Sequence, residues 1–280
     1  VLTPATPLFI LQENPQKLLA DLVQLAKQAG QAILEVYHSD FTSEEKTDHS
    51  PLTAADLAAH HCLIAGLQDT TRFPAYPVIS EESRAMDYQQ RLAWETCWML
   101  DPLDGTREFI KRNGEFTVNI ALIHRQQPVL GIVYAPVLDI CHFAGTGCGA
   151  FRQEGDDIPV SIHVRTAPEV PVIAGSRSHG TPEMDALLQR LPPHNMRSMG
   201  SSLKFCMIAE GSADFYPRLG PTSEWDTAAA DCIVTEAGGR VTDLAGHPLR
   251  YNARDTLLNP YFAAFGDDAY PWLDYLSAGV

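Results

Sequence analysis

The run WMLDPLDGTREFI (98–110) ends an apolar segment on two aspartates three positions apart. Pro102 between them fixes a backbone angle, and Gly105 just after them permits an unusual turn. Two carboxylates held this close repel one another, and a divalent cation between them turns the repulsion into attraction. Hard ions such as magnesium take oxygen ligands, usually a few carboxylates with water and a substrate phosphate. The backbone carbonyl of Leu103, between the aspartates, is one more oxygen of that kind. YPVISEES (76–83) repeats the plan of a short apolar run that stops in acids. Glu81, Asp101, Asp104 and Asp226 therefore all fall where strands end or helices begin, and Asp56 adds a fifth acid in a helical stretch.

Each of these residues also has an ordinary structural reading. Asp104 with Thr106 suits an Asx turn, Asp226 an N-cap, Thr53 with Asp56 a capping box, and SEES a solvated loop. Strands do not need acids at two separate ends, however, and loops at strand ends commonly carry function.

The elements that must position these acids follow from periodicity. Leu18, Leu22, Leu25, Ala29 and Ile33 recur at helical spacing and predict an amphipathic helix from Pro15 to about Tyr37. A polar loop is expected over 40–50 and a second helix over 50–67. Short strands are expected to end at SEES and at Asp101, followed by a meander over 116–151 with turns near Gln127, Leu138 and Gly147. GTGCGAF (145–151) reads as a hairpin turn, because it lacks the strand and helix that frame a nucleotide-binding glycine loop. After 170, strands and helices alternate: PVIAGS, then helix TPEMDALLQRL, helix SSLKFCMIAE closed by Gly211, strand ADFYPR, helix DTAAADCIVTEAG and strand RVTD. Mixed strands, helices and hairpins predict a layered α/β or α+β architecture.

With 280 residues the chain can bury one large core or two packed lobes. Its 20 basic against 35 acidic residues give a formal charge of −15. That balance disfavours non-specific binding to nucleic acid or anionic lipid, and an anionic substrate would need a local cation. The six cysteines form no CxxC pair and no zinc-like grouping, and read as reduced thiols. VLGIVYAPVL (129–138) is too short to span a bilayer, and no leader pattern opens the chain, so the expected location is the cytoplasm.

Taken together, SEES (80–83), DPLDGTREF (101–109) and EWDTAAAD (224–231) resemble, in order and spacing, the signature of the lithium-sensitive, magnesium-dependent phosphatases of the inositol monophosphatase superfamily. The resemblance implies a five-layer αβαβα sandwich. It also implies an N-terminal lobe (1–155) carrying most metal ligands and a C-terminal lobe (156–280) contributing Asp226 and substrate contacts. Glu81, Asp101, Asp104 and Asp226 would hold two or three Mg²⁺ ions, with the Leu103 carbonyl as a further ligand. Thr106, helped by Asp56, would orient or deprotonate the attacking water, so that Asp56, Glu81, Asp104 and Thr106 form the catalytic set. Gly105, Thr106 and Asp226 would also face the phosphate, with Glu82 supporting the ligands. One departure is Ala230, where relatives commonly have glycine.

SRSH (176–179), GSSLKFC (200–206) and YPRLGPTSEWDTAA (216–229) resemble the bacterial 3′(2′),5′-bisphosphate nucleotidases of the CysQ type. That likeness implies hydrolysis of the 3′-phosphate of adenosine 3′,5′-bisphosphate, with 3′-phosphoadenosine 5′-phosphosulfate left open as a second substrate. Ser176, His179, Gly200 and Lys204 would contact the nucleotide. Read alone, Lys204 is a solvated helix residue, His179 a turn residue, and Arg177 and Arg218 surface ion-pair members. Phe109 reads as core, with a wall of the site as its alternative. The rival readings are a phosphatase for inositol phosphates or sugar bisphosphates, and a non-catalytic binding protein. Retention of Thr106 beside the acids argues against the latter. The oligomeric state and peripheral association with the cytoplasmic face of the inner membrane are left open.

Overall fold

The computed structural model describes residues 14–39, 43–45, 51–83, 86–176 and 182–277. Helix α1 (Pro15–Tyr37) opens at Asn14, whose side chain accepts from Lys17 N, and buries its Leu18, Leu22, Leu25 and Ile33 stripe. The expectation of a helix from residue 50 is corrected. Pro51–Thr53 forms strand β2, antiparallel to β1 (Ser43–Glu45), and helix α2 (Ala54–Leu67) begins only after Thr53. Thr53 is its N-cap, and Asp56 completes the capping box. The loop expected over 40–50 is thus a strand at Ser43–Glu45, and 40–42 and 46–50 lie outside the described residues.

Helices α1 and α2 lie on one face of a seven-stranded sheet. Its strands, in order across the sheet, are β3 (Val78–Ser80), β4 (Thr96–Asp104), β5 (Thr117–His124), β6 (Gln127–Ala135), β7 (Ile140–Gly145), β8 (Gly149–Glu154) and β9 (Val160–Ile162). Only β3 and β4 are parallel; the rest is the expected meander. The β5–β6 turn takes Arg125 and Gln126 at φ 49° and 66°, the twist that suits a two-residue hairpin. Since β9 pairs with β8, the first sheet continues past residue 155. The short helix α3 (Tyr88–Leu92) sits between β3 and β4 in the chain.

The second sheet has five strands in the order β11 (Asn195–Met199), β10 (Val172–Ser176), β12 (Phe215–Arg218), β14 (Phe262–Phe265) and β13 (Arg240–Asp243). Between the sheets run α6 (Leu203–Ala209) and α7 (Ala228–Glu236), inside a core shared by both. Helices α5 (Pro182–Arg190) and α8 (Trp272–Ser277) cover the outer face of the second sheet, their Leu187 and Trp272 sharing a core with Ile173, Phe215 and Phe265. The stack is thus helix, sheet, helix, sheet, helix, as expected. Helix α4 (Thr106–Ile110) follows β4 directly. Helix α7 begins at Ala228 with Thr227 as its cap residue, so Asp226 precedes the helix instead of capping it. Where α7 crosses β6, Gly131 has no side chain, and a Cβ there would lie 2.1 Å from Ala229 O.

Candidate active site

The pair Asp101 and Asp104 sits on an irregularity of β4. Asp101 pairs with Asn119 and Asp104 with Thr117, so β4 spends three residue steps where β5 spends two. In a regular strand, residues three apart point to opposite faces. The extra residue at Pro102–Leu103 is a β-bulge that re-aims the strand, and proline tolerates it because it has no N–H to place in the ladder. Gly105 then turns the chain at φ 93° into α4.

The bulge and the loop before α7 bring carboxylate oxygens of Asp101, Asp104 and Asp226 within 4.8 Å of one another. Asp101 is buried; its Oδ1 accepts Leu103 N at 3.0 Å, and its Oδ2 is buried with no hydrogen-bond partner. Glu81, in the turn after β3, lies close enough for its charge to act on Asp101. Asp104 Oδ2 accepts Ser202 N at 2.6 Å and Asn119 Nδ2 at 3.5 Å, while Asp226 Oδ2 accepts Ser223 N at 2.9 Å. Burial, and then the charges of Glu81, Asp104 and Asp226, hold the Asp101 carboxyl well above the usual carboxylate range. Burial does the same for Asp226, reinforced by Asp104 and Glu81. Asp104 rises only to about 6, because Lys204 and the Ser202 amide oppose its burial. Carboxylates so crowded either keep protons or share a cation. The donor set suits a hard divalent ion: it is all oxygen, and the buried Asp101 Oδ2 has no hydrogen-bond partner among the described residues.

Beside the acids, Thr106 Oγ1 donates to Asp56 Oδ1 at 3.2 Å, with Leu103 O at 3.4 Å. Asp56 is fully buried, and its Oδ2 accepts both Thr53 N (2.7 Å) and Thr53 Oγ1 (2.6 Å). The capping and the threonine-orienting readings of Asp56 hold together, one on each carboxylate oxygen. A hydroxyl has one proton and two lone pairs. With that proton directed at Asp56, Thr106 presents acceptor capacity to the cavity it lines.

That cavity, of about 310 Å³, is lined by Glu81, Asp101, Leu103, Asp104, Gly105, Thr106 and Asp226 on the acidic side, and also by Gly200, Lys204, Tyr216 and Arg218. Lys204 is not the solvated helix residue its sequence context suggests. It is buried, donates to Ser201 O (2.6 Å) and Met199 O (3.2 Å), and lies 5.4 Å from the Tyr216 ring centroid. Burial lowers its ammonium to about 8, with Asp104 opposing the fall. Arg218 is fixed by Thr222 Oγ1 (2.7 Å) and Pro221 O (3.0 Å) rather than by a surface partner. Gly200 lines the cavity, but its N–H donates to Glu115 Oε2 at 2.8 Å and so is not directed at a ligand. Phe109 forms no wall of the cavity; it packs with Tyr37 and Phe116, centroids 5.2 Å away, in the core. Ser176 ends β10, and His179 and Arg177 lie outside the described residues.

Asn119, Ser202 and Tyr216 belong to the site and were not singled out by sequence pattern. Asn119 carried one signal: it is a polar residue inside the apolar run of β5.

A family model described as the inositol monophosphatase family matches residues 14–267. The 3′(2′),5′-bisphosphate nucleotidase CysQ of Salmonella typhimurium is 48% identical, over 88% of this chain and 98% of that relative. The protein of the same name from Haemophilus influenzae is 36% identical, over 92% of this chain and 96% of its own. Among solved structures, CysQ of Bacteroides thetaiotaomicron, described as a bacterial member of the inositol monophosphatase family, matches with a TM-score of 0.77. It is 42% identical and the match covers 88% of this chain and 96% of that one. An IMPase of Thermotoga maritima, at 23% identity, matches with a TM-score of 0.76 over 93% of this chain and 96% of its own, a likeness of fold.

Proposed function

The chain belongs to the inositol monophosphatase family, and on that premise we propose that it is a metal-dependent 3′(2′),5′-bisphosphate nucleotidase. It removes the 3′-phosphate of adenosine 3′,5′-bisphosphate to give AMP and phosphate. The observation that carries the reading is the convergence of Asp101, Asp104 and Asp226 within 4.8 Å, beside the Thr106–Asp56 pair and in one cavity with Lys204 and Arg218. The family is metal-dependent, typically on Mg²⁺. Glu81, Asp101, Asp104, Asp226 and the Leu103 carbonyl would hold two or three such ions. When bound, Mg²⁺ neutralises phosphate charge and makes water a stronger acid.

The chain's own residues supply orientation and proton handling. Thr106, pinned by Asp56, accepts a hydrogen bond from the attacking water and turns a lone pair of that water toward phosphorus. Attack forms the new P–O bond as the bond to the ribose 3′ oxygen breaks; one proton of the attacking water ends on that oxygen, which leaves as the 3′-hydroxyl of AMP, and the other stays with the phosphate. Lys204 and Arg218 are cations in a chain of net charge −15, and they suit the phosphate that is not attacked. Ser176 and His179 complete the nucleotide set on the strength of their resemblance to nucleotidase segments, while Gly200 lines the cavity with its N–H held by Glu115. No described helix is long and apolar enough to cross a membrane.

Phosphate release from a substrate panel with Mg²⁺, with and without lithium, tests the reading. Turnover of the bisphosphate should exceed that of inositol monophosphate and sugar bisphosphates, and lithium should inhibit. Comparable turnover of inositol monophosphate overturns the nucleotidase assignment. Asp104→Asn keeps an acceptor for Ser202 N but loses a ligand charge, and should cut turnover more than about 100-fold with an unchanged circular dichroism spectrum.

A further inference from the structure

Behind the Asp226 loop lies a buried polar cluster that does not touch the cavity. Glu224 is fully buried; its Oε2 accepts Asn252 N at 2.6 Å and its Oε1 accepts Arg254 Nη2 at 3.1 Å. Asn252, held at φ 53°, accepts Arg91 Nη1 at 2.7 Å on Oδ1 and donates through Nδ2 to Arg91 O at 2.8 Å. Arg91, also buried, donates its Nη2 to Asp255 O at 2.7 Å. The same loop is fastened by Glu224 N to Leu257 O (2.8 Å) and by Asn259 Nδ2 to Ser223 O (2.8 Å).

The placement of the two ends matters more than the bonds themselves. Arg91 lies on α3, the helix that follows the Glu81 turn in the chain. Glu224 stands two residues before Asp226, whose carboxylate is set by Ser223 N. The cluster therefore ties α3 to the loop that carries Asp226. Buried ionic clusters of this kind add little net stability over apolar packing of the same volume. Their directional bonds do fix geometry, and groups that orient metal ligands govern metal affinity.

We propose that Arg91, Asn252, Glu224 and Arg254 are positioning residues that hold the Asp226 loop, and with it the Asp226 carboxylate, where the cation needs it. The proposal rests on the metal-phosphatase reading above. Loosening the brace weakens cation binding and leaves substrate contacts intact.

The test compares Arg91→Met and Arg254→Met with wild type in Mg²⁺-dependent phosphate release and in Mg²⁺ binding without substrate, by calorimetry and by the Mg²⁺-induced rise in Tm. Arg165→Met, which breaks the Arg165–Asp214 pair remote from the cavity (2.7 Å), serves as the control for general destabilisation. The brace variants should need on the order of tenfold more Mg²⁺ for half-saturation and bind it correspondingly weakly. At saturating Mg²⁺, their KM for the bisphosphate should stay within about twofold of wild type. The control should show wild-type Mg²⁺ dependence despite a lower Tm. Unchanged Mg²⁺ half-saturation and binding in both brace variants overturns the proposal. If Arg91→Met does not fold, Arg254→Met, at a partly exposed position, decides alone. A wild type that hydrolyses no phosphomonoester with Mg²⁺ removes the functional premise itself, a different failure from unchanged metal binding in an active enzyme.

Discussion

At the scale of single residues, the acids were legible because their chemistry is local. Crowded carboxylates at strand ends are costly without a cation, and sequence alone shows the crowding. Lys204 was not legible, because its burial is set by Tyr216 and by carbonyls contributed by the tight turn at Ser201, at φ 45°. Asp56 shows how two readings of one residue can both hold, since each carboxylate oxygen serves a different partner. Removing the hydroxyl it orients should be specific. Thr106→Ala is expected to lower kcat by about 10²–10⁴, the usual worth of a positioned proton acceptor, with Thr106→Ser retaining most of it. Equal losses in both variants would point to packing instead. Asp231 offers a titration that can be read away from the cavity. Burial raises its carboxyl to about 7, against donors from Tyr251 (2.8 Å) and Thr235 (3.2 Å). Its folded pKa lies above the unfolded one, so the stability it contributes is complete below about 4 and is lost as pH rises through about 7. Asp231→Asn lacks that loss. The Tm difference between variant and wild type should move in the variant's favour from about pH 5 to about pH 8, and a constant difference would refute the sign.

At the scale of elements, long periodic helices and the meander were legible, and the devices that aim side chains were not. The β4 bulge is the clearest case. Strand alternation alone puts Asp101 and Asp104 on opposite faces, and only the pairing with Asn119 and Thr117 reveals the extra residue. β11 could not be read because most of its residues are exposed and alternate with nothing, and β14 because four apolar residues fit helix or strand equally. The packing of α7 on β6 has a sharper requirement than pattern can express. Gly131→Ala forces its new methyl against the Ala229 backbone, 2.1 Å from the carbonyl oxygen, which cannot rotate away as a side chain would. The expected cost is about 1–3 kcal/mol or more in urea unfolding, and an unchanged midpoint would show that α7 can shift freely.

At the scale of the whole molecule, the layer of α6 and α7 is common to both sheets. A core containing Met99 and Ile123 of the first sheet also contains Tyr216 and Phe262 of the second. Neither sheet can lose its partner without exposing that core, so unfolding should be a single transition. Trp98 in the core between the first sheet and its outer helices and Trp272 at the start of α8 report opposite ends of the stack. Tryptophan fluorescence, far-ultraviolet circular dichroism and activity are expected to fall at one urea midpoint; separated midpoints would show two independent units. The shared layer also has a consequence in time. β9, the seventh strand of the first sheet, ends at Ile162, and the helix that covers the sheet starts at Ala228, 66 residues later (228 − 162). At ~5–20 residues per second, the ribosome takes about 3–13 seconds to make that intervening stretch. Throughout it, the inner face of the first sheet is complete in sequence and bare of its cover. The nascent chain therefore passes through a stage in which Met99, Ile123 and Val133 face the cell, and holdase chaperones have their longest opportunity on this protein before α7 is translated.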